Sequence, residues 1–444
     1  MLVLCWTLLM AVAVATPSTS EVLTQHMSTK TMYPVPSLAE LKEETEAEKQ
    51  AAQENDALCR PVQLNYVIRH GTRFPTIKDI RRINATHERL THASAPLAWT
   101  QHWTNPYDPD RAGWLADVGV SELIAMGKRL RLRFGDAFHQ HFNSDKFVFE
   151  HTYKPRTKQS AMAFAYGFFQ EQLQSVLYHT DPIGQDTALR FFDNCPALDL
   201  AVARNKSATI EHKRYRLSKQ MHRNLRRFQR LAGQPLEQSD LEAAYAACAF
   251  DVSVRGRLDE WCTLFDQELL FSMDYFHDLK HFYKKSHGNA LAFEVASPLL
   301  QAVHRTMLQR IRGENTVEGH FRFAHAETIL PLASLLNLTY FDRHANDREG
   351  HFLADTPLDI ATTRSFRGSK LSPFAANIGF VLYECHDTTG PVPPTYRVQT
   401  LFHERTVTFP ECDHARLCPF ERFERMFWQW IHEYDFFSVC GVSG

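Results

Sequence analysis

The sequence predicts an α/β fold with a mostly parallel sheet, helices on both faces and an inserted, all-helical lid. Residues 62–68 and 320–324 are rich in β-branched and aromatic side chains, which is typical of buried strands. The second of these, and a third strand at 146–152, lead into a helical pattern through a short polar joint. Strands that alternate with helices favour a largely parallel sheet.

The stretch from about Asp199 to Gly288 shows helical patterning and no strand, so it predicts an insert made of helices alone. We therefore assign residues 59–191 and 289–444 to the α/β core and residues 192–288 to the lid. The chain has 444 residues, of which 44% are hydrophobic and 23% are charged, enough for a large core in one or two domains. A formal net charge of -2 argues against a general nucleic-acid binder.

The amino terminus predicts export. An apolar run over residues 2–14 ends in Ala13-Val14-Ala15, which indicates a cleaved signal peptide over residues 1–15, although no basic residue opens it. The alternative is a short buried helix. Residues 16–58 follow as a leader that we expect to be partly disordered, with the folded body beginning near Cys59. No apolar run is long enough to span a membrane.

Cysteines and glycosylation sequons agree with export. Without Cys5 an even number of cysteines remains, which in an exported chain indicates disulfides, and their order alone leaves the pairing open. Sequons stand at Asn84, Asn205 and Asn337.

The strongest functional pattern is Arg69-His-Gly-Thr-Arg-Phe-Pro75, directly after the first strand. The planar fork of an arginine binds phosphate oxygens in pairs, so Arg69 and Arg73 suit a phosphoryl group. Gly71 lets the backbone approach a ligand closely, and His70 can donate to a phosphate or attack it. A basic surface loop is the alternative, but it does not explain a strand followed by this order of residues. The pattern predicts a phosphate site.

This stretch resembles the signature of the histidine acid phosphatases, a family that includes the phytases. The resemblance implies that His70 is the nucleophile and becomes a phosphohistidine, and that Arg69 and Arg73 bind the phosphoryl group. It makes Thr72 a candidate substrate contact.

A second joint, Lys154-Pro-Arg-Thr-Lys-Gln-Ser160, opens a helix with Arg156 in its first turn. Free amides and the helix dipole favour anions there, but taken alone the pattern fits the cap of an ordinary core helix equally well. The segment, with its Arg followed by Ser-Ala and then Gly-Phe, resembles the family segment that holds the third phosphate-binding arginine. The resemblance implies that role for Arg156. Residues 189–196 are similar to a segment of inositol-polyphosphate phosphatases in this family.

The joint after strand 320–324 holds His325-Ala-Glu327. Because parallel strands end at one edge of a sheet, both side chains are expected beside His70. The alternative is a core histidine and a first-turn glutamate favoured by the helix dipole. His-Ala-Glu resembles the multiple inositol-polyphosphate phosphatase branch, whereas in phytases the acid directly follows the histidine. The resemblance implies that His325 binds phosphate and Glu327 is the proton donor.

The predicted lid is basic between residues 204 and 230. These side chains either face a polyanionic substrate or form a solvated helix face, and we favour the solvated face for most of them. Lys280, within Asp278-Leu-Lys-His-Phe-Tyr283, resembles a family position where a lysine reaches the substrate, so it is a second candidate contact. Similarity to secreted phytases implies the disulfides Cys59–Cys385, Cys195–Cys440, Cys248–Cys262 and Cys412–Cys418.

Together, the residues and the resemblance predict a secreted phosphomonoesterase of inositol polyphosphates up to the hexakisphosphate, with bisphosphoglycerate as a further candidate. The alternatives are a broad-specificity histidine acid phosphatase and an inactive polyanion-binding protein. We expect no cofactor and no metal, because the arginines supply the positive charge, and no nucleic-acid partner. The carboxyl end shows no retention tetrapeptide, so the expected location is outside the cell or in the lumen of the secretory pathway.

Overall fold

The computed structural model describes residues 19–53, 57–93, 96–170, 175–338, 352–390 and 392–442. The predicted signal peptide, residues 1–15, lies outside these ranges, as does Thr339 of the third sequon. Asn84, Asn205 and Asn337 themselves are exposed. No helix in the described ranges combines the length and the apolar character that crossing a membrane requires.

Eight strands within the described residues form one sheet. They are β1 (Ala57–Arg69), β2 (Phe147–His151), β3 (Tyr178–His179), β4 (Gly319–Ala324), β5 (Asn377–Asp387), β6 (Thr395–Phe402), β7 (Arg405–Val407) and β8 (Cys418–Pro419). The strand order is β3-β2-β4-β1-β5-β6-β7, and β8 pairs with β6.

The fold class is confirmed, but the sheet is mixed rather than mostly parallel. Strands β1, β2, β3 and β4 pair in parallel, whereas β5 to β8 pair antiparallel to their neighbours. Short connections join β5 to β6 and β6 to β7, and a short connection can only join antiparallel strands. The parallel half carries the strand ends for which the sequence predicts the site.

The helices cover both faces of the sheet and build the insert. They are α1 (Thr19–Gln25), α2 (Leu38–Ala51), α3 (Ile77–Thr91), α4 (Asp117–Phe134), α5 (Pro155–Phe169), α6 (Pro196–Leu198), α7 (Ile210–Arg216), α8 (Lys219–Ala232), α9 (Gln238–Phe250), α10 (Gln267–Lys285), α11 (Ala290–Glu294), α12 (Ser297–Ile311), α13 (Ala326–Leu335), α14 (Leu358–Thr363), α15 (Gly368–Leu371), α16 (Phe420–Met426) and α17 (Phe436–Cys440). A π-helical turn, Gln429–Glu433, lies between the last two.

Strand β1 is the centre of the core. Tyr66 and Ile68 face one hydrophobic cluster and Val67 faces another, and all three are fully buried. Successive side chains of a strand point to opposite faces, so burial on both faces requires helices on both sides. In the parallel register Arg69 pairs with Ala324. The residues that follow β1 and β4, namely His70 and His325, therefore emerge side by side.

Residues 192–288 contain helices and turns and no strand, as the sequence predicts for the insert. Its basic region forms two helices, α7 and α8, which the N-cap residue Ser218 separates. Several of its arginines make ion pairs at the surface, for example Arg214 with Glu211 at 2.7 Å and Arg227 with Glu268 at 2.8 Å. These contacts agree with a solvated face.

The leader packs on the body where the sequence predicted partial disorder. Val22 and Met27 are 2% and 0% exposed and belong to the hydrophobic cluster of the insert. The backbone N–H of Ser28 donates to Asp274 of α10 at 2.9 Å, and His26 lies 3.3 Å from the same carboxylate. A few apolar side chains and one buried acid thus hold a segment of polar composition.

Four disulfides join the pairs that the resemblance implied. They are Cys59–Cys385, Cys195–Cys440, Cys248–Cys262 and Cys412–Cys418. The first crosses from β1 to β5, where the two cysteines are direct partners in the register. It closes a loop with a sequence separation of 326 residues.

Candidate active site

His70 lies directly after β1 and is buried. Its Nδ1 is 2.9 Å from the carbonyl oxygen of Gly71. Because a carbonyl only accepts, Nδ1 carries the proton and donates it, which leaves the lone pair on Nε2. Burial, and then the positive charges of Arg156 and Arg69, hold the pKa of His70 well below its usual range. The imidazole is therefore neutral, with Nε2 available as a nucleophile.

Arg69 is held by two backbone carbonyls. Its Nη1 donates to the oxygens of Thr29 and Ser372, both at 2.6 Å, and its guanidinium carbon lies 4.5 Å from the ring centroid of Phe374. Burial lowers the pKa of Arg69 to about 9, partly offset by the charge of Glu327, so the side chain stays cationic at neutral and acidic pH. The leader thereby orients an arginine of the site.

Helix α4 fixes the loop that follows His70. Thr72 is fully buried, and its backbone N–H and hydroxyl donate to the carboxylate of Glu122 at 2.7 and 2.9 Å. A Cβ on Gly119 would lie 2.1 Å from the carbonyl oxygen of Thr72, so only glycine allows this close approach. In this structure the candidate substrate contact Thr72 faces Glu122 and maintains the loop.

Arg73 and Lys30 carry positive charge toward the insert. Their cationic groups lie 5.6 and 5.8 Å from the ring centroid of Phe250. Burial lowers the pKa of Lys30 to about 8, with further contributions from Arg73, Arg69 and Lys280 against an opposing one from Asp79. Lys280 itself is exposed on α10, and its charge acts on Lys30.

His325, the N-cap residue of α13, is in contact with two arginines. Arg156 Nη2 lies 3.2 Å from Nδ1, and Arg190 Nη1 lies 2.8 Å from Nε2, which the Thr152 hydroxyl also approaches at 2.9 Å. The ring centroids of His325 and His70 are 5.5 Å apart. Burial, and then the charge of Arg156, hold the pKa of His325 well below its usual range.

These contacts leave donors without acceptors. A neutral imidazole has a single lone pair, whereas guanidinium groups only donate, so one ring cannot satisfy both Arg156 and Arg190. The Nε atoms of Arg69, Arg156 and Arg190 are buried and have no hydrogen-bond partner within the described ranges. Buried donors without partners are costly. A tetrahedral oxyanion supplies several acceptors at once, so the site suits a phosphoryl group.

Glu327 lies in the first turn of α13 and forms an ion pair with Lys285, the last residue of α10. Lys285 Nζ is 2.8 Å from Glu327 Oε1, and the two side chains are 18% and 43% exposed. Burial raises the pKa of this carboxyl, but the charge and the hydrogen bond of Lys285 outweigh it and hold the pKa well below its usual range. Without a ligand Glu327 is therefore ionised.

The structure brings the predicted side chains together in one cluster of interacting groups. They are His70, Arg69, Arg73, Arg156, His325 and Glu327, with Lys280 at its exposed side.

Sequence reasoning missed Arg190, Lys285, Lys30 and Thr152. The resemblance of residues 189–196 to a family segment was the available signal for Arg190. Lys285 follows the candidate Lys280 by five residues on the same helix. Nothing in the leader pointed to Lys30, because its position depends on how residues 19–36 pack.

Comparisons with known proteins agree on one family. The sequence model of the histidine phosphatase superfamily (branch 2) matches residues 62–403, well over half of the chain. Multiple inositol polyphosphate phosphatase 1 of Gallus gallus is 27% identical over 380 residues, which cover 81% of this chain and 80% of the relative. The protein of the same name from Homo sapiens is 26% identical over 384 residues, covering 79% and 76%.

Solved structures show the same fold. The phytase from D. castellii superposes with a TM-score of 0.72 at 17% identity, covering 97% of this chain and 91% of the other. The multiple inositol polyphosphate phosphatase of Bifidobacterium longum in complex with phosphate gives a TM-score of 0.70 at 16% identity, covering 94% and 100%.

Proposed function

The chain belongs to branch 2 of the histidine phosphatase superfamily, and on that premise we propose that it hydrolyses inositol polyphosphates, including the hexakisphosphate, through a phosphohistidine at His70. One observation carries the proposal: a neutral His70 with its Nε2 lone pair available lies among three arginines whose buried Nε donors have no acceptor among the described residues. The names of the two phosphatase relatives support the substrate class.

In the first step the phosphoryl group binds between Arg69, Arg73, Arg156 and His325. His70 Nε2 attacks phosphorus, and the ester P–O bond breaks on the opposite side. The hydrogen bond from Nδ1 to the Gly71 carbonyl stabilises the positive charge that develops on the ring. Donors that are already oriented spread the charge of the transition state, which is where most of the catalysis arises.

Glu327 protonates the leaving alkoxide, so it must gain a proton after the substrate binds. The bound phosphate competes with Glu327 for Lys285, and its negative charge favours the protonated carboxyl. In the second step water attacks phosphorus and breaks the P–N bond, with Glu327 as the base. The ion pair between Glu327 and Lys285 thus belongs to the ligand-free enzyme, and substrate binding exchanges it for a contact with phosphate.

The cations beyond the scissile phosphate favour a polyphosphorylated substrate. Several elements bring positive charge to the site: Lys30 from the leader, Arg190 from the loop after β3, and Lys280 and Lys285 from α10. A substrate with a single phosphate would interact with only some of these positive side chains. Residues 192–288 act as the lid of the cleft in this proposal, since α10 contributes its last turn to the site.

Export to the lumen of the secretory pathway or beyond it is part of the proposal. Four disulfides would not persist in a reducing cytosol. The predicted signal peptide and sequons agree with that location.

The experiment is phosphate release from inositol hexakisphosphate at mildly acidic pH, with an aryl phosphate as the second substrate. Wild type is compared with His70→Ala and, as a matched control, with His386→Ala, which changes an exposed histidine on β5. We expect release by the wild type and the control, with higher kcat/KM for the inositol substrate, and none by His70→Ala.

Two other results would change the proposal. Cleavage of the aryl phosphate alone would indicate a broad phosphatase. No phosphate release from either substrate by folded, disulfide-bonded protein would indicate an inactive polyanion-binding protein.

A further inference from the structure

Three side chains with metal-binding atoms meet on the carboxyl-terminal part of the fold, and none of them belongs to the site described above. They are His304 on α12, Glu424 on α16 and His432 in the π-helical turn Gln429–Glu433. The Nε2 atoms of His304 and His432 lie 3.0 and 2.9 Å from the same oxygen, Glu424 Oε1. The three ligand atoms all lie within 4.8 Å of one another.

His304 is the unusual member of this cluster. Its side chain is 5% exposed, and its ring stacks on that of Phe420 with centroids 5.5 Å apart. Nε2 lies 3.0 Å from Glu424 Oε1 in an ion-pair contact, but this buried nitrogen has no hydrogen-bond partner in the described part of the chain. Buried polar atoms nearly always have a partner, so this nitrogen is available to bind a ligand.

We propose that His304, Glu424 and His432 form a binding site for a divalent transition metal, with Zn²⁺ as the preferred ion. Two imidazole nitrogens and one carboxylate oxygen are a common ligand set for zinc, with bonds of about 2.0–2.2 Å in a tetrahedron. Tetrahedral ligands at that radius lie roughly 3.3–3.6 Å apart, so the two nitrogen–oxygen separations of 3.0 and 2.9 Å require only small adjustments. Imidazole ligands disfavour Mg²⁺ and Ca²⁺.

The geometry leaves the fourth position to water. The side chains of Glu424 and His432 are 24% and 33% exposed, so the ion can enter from solvent and keep a water ligand. The ion would join α12, in the core, to the segment that leads to α17 and Cys440. Its expected effect is on stability rather than on the reaction.

The test titrates chelator-treated, full-length protein with Zn²⁺ against a chromophoric chelator, and with Co²⁺ by visible absorption. We expect one tight site per chain, ligand-field bands of low-coordinate Co²⁺, and a higher melting temperature with Zn²⁺. Glu424→Gln and His432→Gln should each weaken Zn²⁺ binding at least tenfold and remove the gain in melting temperature. Both residues are partly exposed, so these variants should fold.

Two controls isolate the site. His386→Gln removes an exposed histidine that also contacts a glutamate, Glu384 at 2.7 Å, but belongs to no three-ligand cluster in the described residues, and it should bind like the wild type. His70→Ala should keep the tight site, which separates it from the active site. Failure of the wild type to bind Zn²⁺ more tightly than Glu424→Gln, or loss of the tight site in His70→Ala, would overturn the proposal.

Discussion

The ion pair between Lys285 and Glu327 gives a prediction that separates the proposed proton donor from a purely structural glutamate. Replacing Lys285 with methionine removes the ammonium group 2.8 Å from Glu327 Oε1 and keeps an unbranched apolar chain. Since Lys285 is what holds the pKa of Glu327 below its usual range, that pKa must rise in Lys285→Met. The protonated carboxyl is the acid that the reaction uses, so activity should persist to higher pH.

The exposure of the two side chains sets the size of the effect. Two unit charges about 4 Å apart interact by roughly 4 kcal/mol at an effective dielectric constant of 20, whereas exposed pairs contribute roughly 0.2–1 kcal/mol. Glu327 is 43% exposed, so solvent screens the pair and the lower range applies. About 1 kcal/mol corresponds to a roughly fivefold larger ratio of protonated to ionised Glu327.

The assay is the pH profile of kcat/KM for inositol hexakisphosphate, because kcat/KM reports the ionisation of the free enzyme. The alkaline limb should move to higher pH in Lys285→Met and stay in place in Lys285→Arg, which keeps the charge. Lys284→Met is the matched control, since it removes the neighbouring charge of α10 and leaves the pair intact. An unchanged limb in Lys285→Met, or an equal shift in Lys284→Met, would show that Lys285 does not control the ionisation of Glu327.

Three further predictions follow from the same structure. Glu327→Gln should lower kcat for inositol phosphates by about 10²- to 10⁴-fold and hardly affect an activated aryl phosphate, and equal losses would show that it is not the acid. Replacing both Cys59 and Cys385 with alanine should lower the free energy of unfolding by about 2–5 kcal/mol in denaturant titrations, and unchanged stability would contradict a structural role. Asp274→Asn removes the charge of the buried carboxylate that pairs with Arg364 and holds the leader. Hydrogen exchange should therefore accelerate in residues 19–36, whereas unaltered protection there would show that other contacts hold the leader.

The residue pattern predicted the buried strands of the parallel half of the sheet, because their side chains are apolar where the fold buries them. The strands Phe147–His151 and Gly319–Ala324 lie within one residue of the predicted bounds, 146–152 and 320–324. His70 and His325 each follow a strand, and parallel pairing brings them to one edge.

What depends on distant contacts could not be predicted. The antiparallel pairing of β5 with β1 joins segments far apart in sequence, and no local pattern reports it. Arg190 reaches His325 across 135 positions of sequence. The polar leader was expected to be partly disordered, yet Val22, Leu23 and Met27 are buried against the insert, and this packing brings Lys30 and the Thr29 carbonyl to the site.

The central claim is that His70 becomes covalently phosphorylated. The direct measurement is a rapid quench of the enzyme in alkali during turnover of inositol hexakisphosphate, followed by peptide mass mapping. We expect an alkali-stable, acid-labile phosphate on His70 that appears in the wild type, accumulates before steady state and is absent from His70→Ala. Phosphate on another residue, or turnover by His70→Ala at the wild-type rate, would contradict it.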